Sequence, residues 1–172
     1  MILMRHGQSE FNVHFSATKR DPGIADPRLT PLGQSQAEAA VPGIAGLGIT
    51  RILASPYTRA LQTAAPSAAA LRLPVQIHAG IRERAHFSCD IGTPRSRLSE
   101  AWPDHDFSAL DEVWWPHGTE PEASVDARAA AFRAEMRADP QWATTLVVSH
   151  WAFLLALTGD SFENGEWRRL EP

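Results

Sequence analysis

Short apolar segments alternate along this chain with longer segments of helical periodicity, and this alternation limits the possible folds more than any other feature. The apolar segments are residues 2–4, 51–55, 75–79 and 144–149, and polar residues, glycine or proline bound each of them. Strands that are connected through helices run parallel, and helices cover both faces of a parallel sheet. The pattern therefore predicts an α/β fold, a three-layer sandwich with a mainly parallel sheet.

Two proline-containing signatures mark where helices begin. Thr30 followed by Pro31 has the form of an N-cap and a first-turn proline, which predicts a helix through the following residues. Ser55 followed by Pro56 repeats this signature and predicts a second helix. Because proline lacks an N–H and its ring clashes with the preceding turn, a kink or break is expected in that helix at Pro66.

The region near residue 130 has the spacing of an amphipathic helix. Its apolar stripe consists of Val125, Ala129, Phe132 and Met136. The arginines on the opposite side are Arg128, Arg133 and Arg137. Such a helix packs its apolar stripe on the sheet. No linker divides the chain, so residues 1–172 are expected to form one domain, with an excursion at about 86–119 that fits no strand.

Charge and composition exclude several classes of protein. The 172 residues carry a formal net charge of −4 with acidic and basic residues interspersed, so no nucleic-acid partner is predicted. No apolar stretch has the length of a signal peptide or membrane span, and the one cysteine, Cys89, cannot form an internal disulfide. A cytoplasmic protein with neither a membrane nor a nucleic-acid partner is expected, and the sequence predicts no oligomeric state.

Reactive side chains follow the predicted strands. Arg5 and His6 end the first strand, Arg59 follows the second, Glu83 the third and His150 the last. Because the carboxyl ends of parallel strands share one edge of the sheet, these side chains are expected to converge on one pocket.

This set of residue types suits phosphoryl transfer. Paired guanidinium groups bind the oxygens of a phosphate, and a neutral imidazole such as His6 can carry the phosphoryl group covalently. The nearby arginines disfavour protonation of His6, and together with His150 they can stabilise the transition state without magnesium or another cofactor. Glu83 can protonate the leaving alkoxide and then accept a proton from water, if burial and the phosphate charge raise its pKa.

Five motifs carry the most specific information in the sequence. They are "RHG" with Asn12 downstream, "LTPLGQSQA", "SPYTRALQTA", "IRE" and "VSH". In this order they resemble the histidine phosphatase superfamily, in its phosphoglycerate-mutase-like branch, over residues 1 to about 85 and 120–172. The resemblance implies a phosphoglycerate-mutase-like fold, a phosphohistidine on His6 and proton donation by Glu83. It also implies these phosphate contacts: Arg5, Asn12, Arg59 and His150.

The expected function is hydrolysis of a small phosphomonoester or phosphorylated metabolite by a metal-independent phosphatase. Trp151 and Ala152 stand where the family commonly has glycine, and Pro66 interrupts a usually continuous helix, which affects the shape of the pocket. The chain is shorter than a cofactor-dependent mutase and ends soon after "NGEWRRLEP", so hydrolysis is favoured over phosphoglycerate-mutase-type transfer. A non-catalytic phospholigand-binding protein is a third possibility, although this chain keeps both His6 and Glu83.

Two other chemistries are suggested more weakly. Cys89 lies six positions before Arg95, as in cysteine-dependent phosphatases, but "RERAHFS" is not a buried strand and Pro94 crowds the turn. Metal ligands are available, without ordered spacing, in "DHD" at 104–106 and in His78, His86 and His117.

Specificity is the least determined property. The excursion is expected to cover the active site. Its aromatic residues are Phe87, Trp102, Phe107, Trp114 and Trp115. They either form an apolar lid over the leaving group or pack in the core, and core packing is the expectation for most of them. Basic residues after Asn12 either bind a second phosphate or carboxylate or are simply solvated: Lys19, Arg20 and Arg28.

Overall fold

A computed structural model describes residues 1–171 and contains one five-stranded sheet. The strands are β1 (Ile2–Arg5), β2 (Arg51–Ala54), β3 (Val75–Ile77), β4 (Thr145–Ser149) and β5 (Trp167–Arg169). Their order is β3-β2-β4-β1-β5, and only β5 runs antiparallel to its neighbour. The four predicted strands are confirmed, whereas β5 was not predicted.

Helices cover both faces of this sheet. They are α1 (Glu10–Thr18), α2 (Pro31–Ala45), α3 (Thr58–Leu71), α4 (Arg95–Ala101), α5 (Glu122–Ala138) and α6 (Trp151–Thr158). One buried cluster joins α2, α3 and α4 to one sheet face, and a second joins α5 and α6 to the other. The predicted three-layer α/β sandwich is therefore confirmed.

Successive side chains of β1 point to opposite faces of the sheet and contribute to both buried clusters. Ile2 and Met4 lie in the cluster with α2 and α3, whereas Leu3 lies in the cluster with α5 and α6. All three are completely buried, so this strand contributes apolar area to both cores. A rigid strand buried on both faces holds the residues at its carboxyl end in a fixed position.

The helix signals were confirmed in part. Thr30 caps α2, since its side chain accepts a hydrogen bond from Gly33 N, and Pro31 is the first helical residue. The second prediction was wrong in two respects: the N-cap of α3 is Tyr57 rather than Ser55, so that the helix begins at Thr58, and the helix does not break at Pro66 but continues to Leu71. Side chains on both sides of this proline pack in the core, and that packing maintains a helix that backbone propensity alone would interrupt.

The excursion at 86–119 has no strand, as predicted, but it has more order than the sequence indicated. It contains a 3₁₀ turn at Ser88–Asp90 and the short helix α4. Phe107 and Trp114 are buried in the core, and Trp102 and Trp115 pack against it. For these four residues the lid interpretation is wrong, because their rings complete the core beside α4.

β5 connects the end of the chain to β1. It pairs with Ile2–Met4, and the segment before it continues the contact, since Gly165 N and Asn164 Nδ2 both donate to the carbonyl oxygen of His6. The segment after His6 is fixed by helix α2 on its other side. A Cβ atom on Gly7 would lie 2.4 Å from the carbonyl oxygen of Gly33, so these two backbones can touch only through glycine.

Within residues 1–171 we find no helix that combines the length and the apolar character needed to cross a membrane.

Candidate active site

A cavity of about 430 Å³ opens at the carboxyl edge of the parallel strands. Five of the six predicted site residues line it: Arg5, His6, Asn12, Arg59 and Glu83. They come from the end of β1, from α1, from the first turn of α3, and from the loop after a 3₁₀ turn at Ala79–Ile81. The sixth, His150, directly follows β4 and lies behind this wall.

His6 is held in a defined orientation. Its backbone N–H donates to Ser149 O at 3.0 Å, and its side chain is 3% exposed. Ring atom Nδ1 lies 2.7 Å from the carbonyl oxygen of Gly7. A carbonyl oxygen can only accept, so we assign the proton to Nδ1 and the free lone pair to Nε2. Burial, followed by the charges of Arg59 and Arg5, lowers the pKa of His6 well below its usual value and keeps the ring neutral.

His150 is completely buried, and its ring centroid lies 5.1 Å from that of His6. Ring atom Nε2 is 2.8 Å from Ser55 Oγ, and the edge of the ring packs against Tyr57. Ser55 was predicted to cap a helix, and instead it positions this histidine. Nδ1 of His150 is buried and has no hydrogen-bond partner among the described residues. Burial, Arg59 and His6 lower the pKa of His150 well below its usual value.

The two arginines are fixed by backbone carbonyl groups. Arg5 Nη1 donates to Phe162 O at 2.7 Å, whereas its buried Nε has no partner among residues 1–171. Arg59 Nη1 donates to Cys89 O at 2.7 Å, and its guanidinium carbon lies 4.4 Å from the centroid of the Tyr57 ring. Both guanidinium groups therefore have restricted orientations beside His6.

Asp90 is a site residue that sequence reasoning missed. Its carboxylate, which is 3% exposed, pairs with Arg59 at 3.3 Å and accepts hydrogen bonds from the backbone N–H groups of His86 and Phe87. Asp90 thus attaches the start of the excursion to Arg59. No periodicity surrounds it in the sequence, so its partner could be identified only from the fold.

Glu83 lies half-buried in the cavity wall. Its Oε1 accepts hydrogen bonds from the backbone N–H groups of Arg84 at 2.9 Å and of Ala152, at the start of α6, at 3.0 Å. Burial and the negative charge of Asp90 raise the pKa of Glu83 to about 7, against the lowering influence of Arg84 N–H and the two arginines. The carboxyl group is therefore close to half-protonated at neutral pH.

The loop that carries Glu83 is held by α5. Arg128 donates through Nη1 to the carbonyl oxygens of Gly80 and Arg82, at 2.7 and 3.2 Å. Its guanidinium also forms an ion pair at 2.9 Å with Glu120, whose carboxylate is almost completely buried. The sequence identified Arg128 only as lying opposite the apolar stripe of its helix. The carbonyl groups that it contacts lie 48 and 46 residues earlier in the sequence, where a local pattern cannot reveal them.

Asn12 lies at the cavity wall with one end of its amide group already occupied. Oδ1 accepts from the backbone N–H of Ser9 at 2.9 Å, from Ser9 Oγ at 3.0 Å and from Asn164 Nδ2 at 3.3 Å. These donors orient the amide so that its NH₂ group is the end available to an anion.

The structure also bears on the cysteine-dependent and metal-dependent alternatives. Cys89 lines the cavity, but Arg95 does not and pairs instead with Glu112, so no cysteine-phosphatase loop forms. Burial raises the pKa of the Cys89 thiol, which disfavours the nucleophilic thiolate. Within residues 1–171, no three side chains of metal-ligating type are close enough to share a metal ion. The basic residues of the loop after Asn12 do not line the cavity: Lys19, Arg20 and Arg28.

Comparison with known proteins identifies relatives of this chain. The model of the histidine phosphatase superfamily (branch 1) matches residues 1–171. The glucosyl-3-phosphoglycerate phosphatase of Mycobacterium tuberculosis (strain ATCC 25618 / H37Rv) is 29% identical over 174 residues, which cover 92% of this chain and 73% of that protein.

Two solved structures show the same fold. A mycobacterial glucosyl-3-phosphoglycerate phosphatase in complex with VO₃ has a TM-score of 0.67 and 24% identity, with 97% of this chain and 90% of that chain covered. A phosphoserine phosphatase from Entamoeba histolytica, in complex with 3-phosphoglyceric acid, has a TM-score of 0.62 and 22% identity, with 96% and 87% covered. The resemblance carried by the five motifs is confirmed: the chain belongs to the histidine phosphatase superfamily and is a phosphatase of that type.

Proposed function

We propose that this protein hydrolyses a small phosphomonoester in two steps, through a phosphohistidine on Nε2 of His6. The observation that carries the proposal is the convergence of His6, Arg5, Arg59 and Glu83 on one cavity, with His150 directly behind His6. A neutral nucleophile, two cationic groups and a carboxyl group with a pKa near 7 are the components that such a reaction needs.

The phosphate is bound by groups whose hydrogen-bonding capacity the protein does not use itself. Arg5 Nε has no partner among the described residues, and Asn12 has its NH₂ group available at the cavity wall. His150 Nδ1, which also has no partner there, lies behind this wall and next to His6. Arg59 adds a second positive charge. In the transition state the charge on the equatorial oxygens increases, so these donors stabilise it more than they stabilise the bound ester.

In the first step, His6 Nε2 attacks phosphorus while the bond from phosphorus to the ester oxygen breaks. Glu83 transfers its proton to the departing oxygen, so that an alcohol leaves rather than an alkoxide. In the second step, water attacks the phosphohistidine, Glu83 takes the proton of that water, and the P–N bond breaks. Free phosphate and neutral His6 result, and Glu83 has regained its proton.

The charge compensation in this scheme comes from arginine and histidine side chains, so we propose that the reaction is independent of metal ions. Turnover should be unchanged after dialysis against a chelator, whereas loss of turnover and its recovery with a divalent cation would contradict this part. We further place the protein in the cytoplasm, because a chain with one cysteine has no need of an oxidising compartment. Its net negative charge agrees with a small-molecule substrate rather than nucleic acid.

A panel of phosphomonoesters assayed for phosphate release tests the reaction, and acid-labile, base-stable labelling of His6 by a ³²P-ester tests the intermediate. His6→Ala should abolish both turnover and labelling while the circular dichroism spectrum stays unchanged. Wild-type turnover by His6→Ala would disprove the mechanism. Binding of phosphate esters without any turnover or label would instead indicate the non-catalytic binding protein, and formation of 2-phosphoglycerate from 3-phosphoglycerate would indicate the mutase.

A further inference from the structure

Beyond the reactive groups, the cavity has an aromatic wall made of three phenylalanine rings. Phe11 and Phe15 come from α1, and Phe87 comes from the start of the excursion. The three ring centroids are 5.0 to 5.6 Å apart, so each ring contacts the other two. We call these three residues the aromatic shelf. Phe11 is buried beneath the other two, whereas Phe15 and Phe87 are partly exposed to the cavity.

This shelf replaces the lid that the sequence suggested. Of the excursion aromatics, only Phe87 reaches the cavity, since the others complete the core. Its two partners come from the helix that follows the nucleophile, a segment in which the sequence indicated no aromatic site. The position of Phe87 is fixed by Asp90, which accepts a hydrogen bond from its backbone N–H at 3.0 Å.

The guanidinium group of Arg84, in the cavity wall, already has its own partners. Among the described lining residues, Arg84 is the one arginine outside the phosphate-binding pair, and it donates to Glu120 O at 2.9 Å and to the Glu122 carboxylate at 2.8 Å. Lys19 does not line the cavity, although its Nζ lies 5.9 Å from the centroid of the Phe15 ring. A carboxylate placed directly against the three rings would lose hydration without gaining a hydrogen bond from them.

We propose that the leaving group is an uncharged alcohol with a planar apolar ring, which packs on the aromatic shelf while its phosphate occupies the arginine site. This substrate class rests on the proposed phosphatase reaction and adds its specificity. Ring faces at 5 to 6 Å favour offset or edge-on contact with another ring, and the contact also removes apolar area from water. The three rings themselves offer no hydrogen-bond donor or acceptor to a polyol or to a carboxylate.

The test compares three alkyl phosphates whose leaving alkoxides are similarly basic: benzyl phosphate, glycerol 3-phosphate and 3-phosphoglycerate. We expect kcat/KM to be at least about tenfold higher for benzyl phosphate than for glycerol 3-phosphate, and lowest for 3-phosphoglycerate. Phe15→Leu and Phe87→Leu keep apolar volume and remove the ring, so each should lower the benzyl-to-glycerol ratio by about threefold or more. Val13→Ala, at an exposed position of α1 that does not line the cavity, is the matched control and should leave the ratio unchanged.

The ratio of two substrates on one preparation does not depend on the folded fraction, so a partly unfolded variant still gives a valid result. Equal kcat/KM for benzyl and glycerol phosphates, or an unchanged ratio in both leucine variants, would overturn the aromatic class. Preference for 3-phosphoglycerate would overturn it in favour of an anionic leaving group. Failure of the underlying reaction is distinguishable, because then no ester of the three would label His6.

Discussion

Single residues in this site have their protonation states set by their surroundings. Burial and the two arginines keep His6 neutral, whereas burial and Asp90 keep Glu83 partly protonated at neutral pH. The nucleophile therefore has its lone pair, and the acid its proton, in the same range of pH. That range ends near pH 7, where Glu83 loses its proton.

The alkaline side of the pH–rate profile should therefore report Glu83. For an alkyl phosphate, kcat/KM should decrease as the pH rises through about 7, because the deprotonated carboxyl cannot protonate the leaving alkoxide. Glu83→Gln should lower the rate by about 10²- to 10⁴-fold and abolish this decrease. The titration of the substrate phosphate itself remains in the variant and serves as the internal control. A wild-type alkaline limb that persists in Glu83→Gln would assign it to another group.

A nitrophenyl ester separates the two roles of Glu83. Nitrophenolate leaves readily without a proton, so Glu83→Gln should retain much of the first step, whereas attack by water on the phosphohistidine loses its general base. Rapid mixing should show a burst of about one nitrophenolate per enzyme, followed by slow turnover. Equal losses of the first step with nitrophenyl and alkyl esters would restrict Glu83 to a structural role.

Arg59→Lys should be costly although the charge is conserved. Arg59 contacts a backbone carbonyl, a carboxylate and the face of Tyr57 at the same time, and a lysine ammonium cannot reproduce that planar arrangement. We expect kcat/KM to fall by about 10²-fold or more for every ester. Arg51→Lys, away from the cavity, is the comparison. Near-normal turnover of Arg59→Lys would remove Arg59 from the phosphate site.

At the scale of secondary-structure elements, α5 holds the loop that carries Glu83, the proposed proton donor. Arg128 links this helix to the carbonyl groups on either side of Ile81, and Ser149 Oγ at the end of β4 donates to Ile81 O at 2.7 Å. The loop carrying Glu83 is thus attached to a helix on one side and to a strand on the other.

Arg128→Met should disturb Glu83 without touching the phosphate site. We expect kcat/KM for benzyl phosphate to fall by about tenfold or more, and the first step with nitrophenyl phosphate to change much less, since that step does not need the acid. Arg137→Met, at an exposed position of the same helix, is the matched control. A uniform loss with both esters would indicate general destabilisation, because the buried Glu120 carboxylate loses one of its two ion pairs and keeps only that with Arg82, rather than a positioning role.

Elements and site residues differ in how far the sequence could predict them. The buried strands and the residues at their ends were predictable, because Ile2–Met4 and residues 146–148 are apolar on both faces of the sheet. β5 was missed because Trp167–Arg169 is short and charged and is defined by its pairing with β1. Asp90 and Arg128 were missed because their partners lie far away in sequence, where local patterns contain no information about them.

At the scale of the whole molecule, the site influences stability through pH. Glu83 has a folded-state pKa of about 7, above its ordinary 4.5, so its contribution to the free energy of unfolding is fully present below pH 4.5 and is lost as the pH rises through 7. His6 and His150 have lowered pKa values, so their contribution has the opposite sign: it is present above their ordinary 6.5 and is lost as the pH falls.

The contribution of Glu83 can be isolated by subtraction. Glutamine resembles the protonated carboxyl, so the free energy of unfolding of Glu83→Gln minus that of the wild type should increase between about pH 5 and 8. The increase is at most about 3 kcal/mol, reduced by the solvent that reaches the half-buried carboxyl. Urea unfolding at several pH values measures it, and the two histidines cancel in the difference. A difference that is constant with pH would mean that Glu83 ionises normally in the folded protein.

The strand order has a consequence for synthesis of the protein on the ribosome. β1, which leads into His6, is translated before its two neighbours in the sheet, β4 and β5. The carbonyl group of His6 accepts hydrogen bonds from Gly165 and from Asn164, which lies 158 residues later in the sequence. Such long-range pairing cannot form until β4 and β5 have emerged from the ribosome. A ribosome-bound nascent chain therefore carries His6 from the moment β1 emerges, but becomes competent to take phosphate from a cellular ester only after β4 and β5 have emerged as well.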